Sequence, residues 1–112
     1  MEAFKQQFIE FALTEQVLRF GDFTLKSGRP SPYFFNSGLF NNGASLSRLA
    51  EFYVAAVQRA GVGFDMLFGP AYKGIPLATA LAITFARDYN RSLPCSYNRK
   101  EFKDHGEKGV IM

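Results

Sequence analysis

Apolar residues recur with a helical period at the start of the chain. Phe4, Phe8, Phe11, Ala12 and Glu15 follow an i, i+3, i+4, i+7 spacing whose apolar members form a stripe, which predicts an amphipathic helix over Met1–Leu18. From Asp22 to Asn36 the pattern changes. FTL and YFF are rich in β-formers, and KSGRPSP between them holds Gly28, Pro30 and Pro32, so two strands around a turn are predicted. Asn42-Gly43 marks a further turn. A second helix is read from Ser47, as N-cap, to Ala60, burying Leu49, Tyr53, Ala56, Val57 and Ala60 and closed by Gly61 at C′.

The second half is organised differently. DMLFG (Asp65–Gly69) is a short apolar run of the kind that fills a central parallel strand. The loop PAYKGIP follows, then a helix from about Pro76 to Asp88. Its sequence LATALAITFA is apolar nearly all round and predicts burial on more than one side. Pro76 is tolerated in the first turn, where its missing N–H would have no helical partner. LPCSY (Leu93–Tyr97) reads as a second short strand. Strand, loop, helix and strand predict a right-handed βαβ unit, the seed of a parallel α/β sheet. No internal repeat, low-complexity tract or interdomain linker interrupts the chain.

Composition narrows the picture. The 112 residues suit one domain, able to bury roughly two-thirds of its unfolded surface. The hydrophobic share is 47%, with thirteen Phe, five Tyr and no Trp, a globular composition. No apolar run approaches a membrane span, and the Met1 segment has neither the basic n-region nor the apolar h-region of a signal peptide. The single cysteine, Cys95, excludes an intrachain disulfide, fits a reducing cytosol, and reads as a buried strand residue. A net charge of +3 is too small to argue for nucleic-acid binding. Its distribution is more informative. No acid lies between Asp22 and Glu51, where Lys26, Arg29 and Arg48 fall, nor from Met66 to Arg87, where Lys73 falls. Unopposed cations in glycine-rich loops favour a small anionic ligand.

In an open parallel sheet, ligands bind outside the carboxyl ends of the strands. Two polar loops leave such ends, PAYKGIP and NRKEFKDHGEKG. In the first, Gly69 and Gly74 would let the backbone approach a ligand closely, and Lys73 would set a point charge on a phosphate. N–H groups at the following helix start would assist. A tight βα turn with an exposed lysine explains the same residues, and GPxxKG is not the P-loop pattern. In the second, Arg99, Lys100, Lys103 and His105 interleave with Glu101, Asp104 and Glu107. Solvated surface is one reading; a mobile lid following a strand and ending in glycines is the other. His105 has the chemistry of an acid near neutral pH, or is plain surface. Lys26 ends a strand beside Ser27-Gly28, equally an exposed hairpin lysine. Phe34 and Phe35, being adjacent, face opposite sides of an extended strand. Both suit a core, and one also suits stacking on a planar ligand. No Cys/His cluster has zinc spacing, no GxGxxG occurs, no Ser-His-Asp set is arguable, and no residue is assigned to a metal.

Taken together and in order, FTLKSGRPSPYFFNSG, LFGPAYKGIPLA and YNRKEFKDHGEKG resemble the bacterial type of orotate phosphoribosyltransferase, a family of pyrimidine biosynthesis. The resemblance extends over essentially the whole chain, including the opening QFIEFAL helix. It implies the first part of a type I phosphoribosyltransferase fold, with residues 1–44 a hood-like helix and hairpin and residues 45–112 the start of a parallel α/β core. The implied reaction moves phosphoribose from 5-phosphoribosyl 1-pyrophosphate to a ring nitrogen of orotate, with Mg²⁺, giving orotidine 5′-phosphate and pyrophosphate. By motif, Lys26 would contact the phosphoribosyl donor and Phe34-Phe35 would form the orotate platform. Tyr72 and Lys73 would meet the donor from the second loop. Arg99, Lys100, Lys103 and His105 would belong to a catalytic loop shared across the interface of a cytoplasmic homodimer, with no nucleic acid or membrane as partner.

The family's two adjacent aspartates and the Thr/Ala/Gly turn after them are not in these 112 residues. The resemblance therefore leads us to expect an N-terminal portion of the enzyme, with little or no activity alone. The alternatives are a non-catalytic nucleotide-binding or dimerisation module, a nucleic-acid binder using the basic loop, and a sibling transferase for another base. Interleaved acids disfavour the nucleic-acid binder, and the FKDHGE and YFFN segments point to orotate.

Overall fold

The computed structural model describes residues 1–101 and 111–112. Their elements run α1 (Ala3–Thr14), β1 (Leu18–Thr24), β2 (Pro30–Phe35), a 3₁₀ turn (Ser37–Leu39), α2 (Gly43–Ala60), β3 (Leu67–Gly69), α3 (Gly74–Tyr89) and β4 (Cys95–Tyr97). Two compact units divide the chain, Met1–Phe52 and Tyr53–Met112. The division falls inside α2.

In the first unit α1 stops at Thr14, four residues short of the predicted end. Gln16 adopts a left-handed φ of 61°. The Val17 N–H then reaches the Ala12 carbonyl at 2.9 Å, and the Gln16 N–H reaches Leu13 at 3.1 Å. This is a Schellman ending, whose usual glycine is here a glutamine, so periodicity alone read through it. Val17 and Ala12, the apolar pair that accompanies such an ending, are both fully buried. The chain is thereby freed to begin β1 at Leu18, earlier than expected. β1 and β2 pair antiparallel, with Leu18 opposite Phe35, Arg19 opposite Phe34 and Phe20 opposite Tyr33. A register shift between Phe20 and Phe23 bulges β1. The Leu25 N–H bonds to Arg29 at 2.9 Å across the tip, where Gly28 takes φ +84°.

An aromatic cluster fills this unit. Phe11 stacks on Phe40 with centroids 5.6 Å apart and tilts against Phe52 at 5.7 Å, while Phe8 meets Phe52 edge-on at 5.5 Å. Full burial of a large apolar side chain stabilises by about 1.5–3 kcal/mol, and Phe40 and Phe52 are buried while Phe8 and Phe11 are half-buried. α2 begins four residues before the expected start, because Asn42 rather than Ser47 caps it. The Asn42 Oδ1 accepts the Ser45 N–H at 2.9 Å, and the Ser45 Oγ accepts the Asn42 N–H at 3.3 Å. This reciprocal pair follows the capping-box logic with Asn and Ser. With that start, Ser45, Leu49 and Phe52 form the buried row, with Ala50 and Val54 beside it. Tyr53, expected inside, is 45% exposed, and Ala56 and Ala60 are exposed as well. Gly61 closes the helix as predicted, at φ +67°.

In the second unit β3 and β4 pair parallel, with Leu67, Phe68 and Gly69 opposite Cys95, Ser96 and Tyr97. α3 connects them. Both strands are three residues long, shorter than the runs read from the sequence. Phe85 is buried beneath Phe64 and Tyr89, with centroids at 5.6 and 5.7 Å. Arg91 lies 4.3 Å over the Phe64 ring and donates to the Phe64 carbonyl. α3 runs from Gly74 to Tyr89, slightly longer than expected, and Asn90 ends it in the left-handed region. Against expectation, it buries one face only. Ala78, Leu81, Thr84 and Phe85 are inside while Ile83 is 57% exposed. Cys95, expected to be buried, is also exposed. Both departures accord with the two strands that the sheet has among the described residues, which cover one side of a helix and leave each strand at an edge. At the end of β4, Tyr97 and Met112 exchange N–H···O bonds of 3.2 and 2.6 Å, and just past it Asn98 bridges Ile111 antiparallel. No helix among the described residues is long and apolar enough to cross a membrane.

Candidate active site

β3 and β4 run parallel, so the loops at their carboxyl ends emerge side by side. After β3 comes Pro70–Lys73, and after β4 comes Asn98–Glu101. The structure ties these loops together. The Ala71 N–H donates to Asn98 Oδ1 at 2.6 Å. The Tyr72 hydroxyl lies 2.5 Å from each carboxylate oxygen of Glu101, and the Lys100 N–H points at the same hydroxyl from 3.4 Å. The Lys100 ammonium stands 5.7 Å from the centroid of the Tyr72 ring, within cation–π reach. The hydrogen bond to Glu101 raises the Tyr72 pKa above its ordinary value, because a phenolate would lose that bond and face a carboxylate.

Lys73 immediately precedes α3 and is exposed. Among the described residues it has no ion-pair or hydrogen-bond partner, and the N–H groups of Tyr72 and Lys73 find no acceptor. A cation and free N–H groups at a helix start suit an anion. Arg99 belongs to the same loop, with its guanidinium against the Met112 sulfur.

Gly69 and Gly74 let two stretches of backbone approach each other closely. A Cβ on Gly69 would lie 2.5 Å from the Gly74 carbonyl oxygen and 2.9 Å from the Ala78 Cβ. One on Gly74 would lie 2.7 Å from Pro70 Cδ. These glycines let the end of β3 and the first turn of α3 touch, which folds Pro70–Lys73 into its tight loop.

The remaining candidates lie in the first unit or outside the described residues. Lys26 lies just past the end of β1, after Leu25, is exposed, and has no side-chain partner among the described residues. Phe34 and Phe35 take different partners, as adjacent strand residues must. Half-buried Phe34 meets Phe23 at 5.8 Å, while Phe35 lies 6.4 Å from Phe40 and is 44% exposed. Neither is wholly committed to the core. Lys103 and His105 lie outside the described residues. Among the described residues, no group of three or more His, Cys, Asp or Glu side chains is arranged to hold a metal. Two residues with evident roles, Asn98 and Glu101, were not singled out from the sequence. Glu101 read as an acid diluting a basic run, and the one available signal was its position just past a strand end.

No family model matches the sequence. Solved structures define the class. A crystal structure of orotate phosphoribosyltransferase from Francisella tularensis superposes with a TM-score of 0.85 at 54% identity, covering 95% of this chain and 49% of that one. An orotate phosphoribosyltransferase from Mycobacterium tuberculosis, at 22% identity and a TM-score of 0.60, shares the fold. The fold is that of the N-terminal part of a type I phosphoribosyltransferase.

Sequence relatives make the assignment particular. Orotate phosphoribosyltransferases of Yersinia enterocolitica and Actinobacillus pleuropneumoniae are 62% and 61% identical over all 112 residues, which cover 53% of each relative. From end to end the chain matches the N-terminal half of orotate phosphoribosyltransferases. It spans about half the length of the curated relatives it matches.

Proposed function

We propose that these residues contribute to transfer of phosphoribose from 5-phosphoribosyl 1-pyrophosphate to orotate. The observation that carries the proposal is the joined pair of loops after β3 and β4, which groups Tyr72, Lys73 and Lys100 at the carboxyl ends of two parallel strands. In this reading the C–O bond between ribose and pyrophosphate breaks as a ring nitrogen of orotate bonds to the same carbon. Positive charge grows on the sugar, as in glycosyl transfer, and negative charge grows on the departing pyrophosphate. Lys73, Lys100 and Arg99 stabilise the leaving group, most strongly where water is excluded. Lys103 and His105 join them, His105 as a proton source for the leaving oxygen. In the first unit, Lys26 meets the phosphoribosyl donor, and Phe34 and Phe35 form the platform for the orotate ring.

The described residues do not fit a protein-built Mg²⁺ cage. In this proposal the ion arrives on the phosphoribosyl donor's own oxygens, as is usual for Mg²⁺ with phosphate ligands, and no step by this chain is routed through it. A cytoplasmic homodimer that shares the Arg99–His105 segment across its interface is part of the same proposal.

A chimera tests it. These 112 residues replace the matching residues of the Yersinia enterocolitica relative, and orotate consumption is followed by ultraviolet absorbance. The chimera is expected to turn over, and Lys73→Ala or Lys103→Ala to lower kcat/KM by about 10²–10³-fold with little change in stability. A folded, inactive chimera, or lysine variants with unchanged rates, would overturn the assignment.

A further inference from the structure

The Tyr72–Glu101 contact is not explained by the chemistry above. A carboxylate has no evident place in a site that gathers cations for a leaving pyrophosphate. Yet both Glu101 oxygens engage the Tyr72 hydroxyl at 2.5 Å, across a separation of 29 residues. The neighbouring residue, Lys100, contributes its N–H to that hydroxyl and its ammonium to the face of the ring. One carboxylate thus occupies the Tyr72 hydroxyl, a group that an arriving phosphate would use, while Lys73 beside it stays without a partner among the described residues.

We propose that Glu101 is an internal anion that holds Tyr72 in the ligand-free chain and must yield it when a diphosphate binds. Glu101 is then a positioning residue that weakens diphosphate affinity and favours release. The inference rests on the proposed function, since it takes the joined loops to be a diphosphate site. The physical basis is like-charge repulsion together with competition for one hydroxyl. Both act against a polyanion; loss of the Glu101 charge removes the repulsion and weakens the competition, since a neutral carbonyl is a poorer acceptor than a carboxylate. Loop alignment survives that change, because the Ala71–Asn98 bond holds independently.

The probe is inorganic pyrophosphate, titrated calorimetrically into the 112-residue chain, into Glu101→Gln, and into Glu10→Gln as a control for lost negative charge on the other unit. Glu101→Gln keeps the side-chain shape and is expected to bind about five- to ten-fold more tightly, the effect of removing one near like charge at a surface. Glu10→Gln is expected to match the unaltered chain. Pyrophosphate should also move the Tyr72 ring signals of the unaltered chain, in NMR spectra, toward those of Glu101→Gln. A Glu101 that merely braced the loops would give weaker binding on substitution. Unchanged or weaker binding by Glu101→Gln, or an equal gain with Glu10→Gln, overturns the inference and leaves the proposed function standing. Absence of binding by all three chains overturns both.

Discussion

Gly69 and Gly74 face each other so closely that a methyl group on Gly69 would lie 2.5 Å from the Gly74 carbonyl oxygen. The obstructing atom is backbone, which cannot rotate aside as a flexible side chain would. Gly69→Ala is therefore expected to destabilise the chain by about 1–3 kcal/mol, the range for overpacking. Gly74→Ala should cost less. Its nearest clash is with the Pro70 ring at 2.7 Å, a side chain rather than backbone. Urea midpoints of the two variants check the ranking, and an unchanged midpoint for Gly69→Ala would show that the loop can open without penalty.

The reciprocal bonds between Asn42 and Ser45 set the start of α2. Asn42→Ala is expected to lower stability by about 0.5–2 kcal/mol, the usual cost of losing an N-cap. Ser47→Ala, at the position where the sequence suggested the cap, should change it far less. Equal effects in denaturation would contradict the assignment of the cap.

Gln16 takes φ 61° where glycine would be unstrained. Gln16→Gly is expected to stabilise by up to about 1 kcal/mol. The relief of left-handed strain exceeds the added flexibility of the unfolded chain. A thermal midpoint that falls would mean the glutamine side chain contributes something its backbone geometry does not show.

Tyr72 titrates above the ordinary tyrosine range because Glu101 accepts a hydrogen bond from its phenol. A raised folded-state pKa favours the protonated form. Its contribution to stability is thus complete below the ordinary tyrosine value and is lost as pH rises through the folded value. Ultraviolet titration should show one tyrosine ionising late, a feature absent from Tyr72→Phe and moved toward ordinary pH in Glu101→Gln. At the acid end, Asp88 is held below its usual value by the hydrogen bond from Arg87. Its small, exposed contribution is present above the unfolded carboxylate value and fades as pH falls through the folded one.

Much of the fold was readable because it depends on local rules. The 3.6-residue spacing of Phe4, Phe8 and Phe11 gave α1, the β-formers on either side of KSGRPSP gave the hairpin, and Gly61 marked the end of α2. The errors arose where a residue of the wrong type held a special position. Gln16 ends α1 in a conformation glycine usually takes, and Asn42 caps α2 from within what read as a turn. The candidate site was legible to the same degree. PAYKGIP and the start of NRKEFKDHGEKG were selected because they leave strand ends, but the partners that join them, Asn98 and Glu101, carry no pattern of their own.

The sequence by itself determined where helices and strands form, which residues bring charge to the loops, and a resemblance specific enough to name a family. Those properties reside in the order of residues, through propensity, periodicity and turn chemistry. Only the tertiary structure decided that Lys100 and Glu101 share the Tyr72 hydroxyl, that Gly69 and Gly74 serve each other, and that Cys95 and one face of α3 lie exposed. Each of these depends on atoms brought together from distant or doubled-back parts of the chain, at distances of a few ångströms that no local rule fixes.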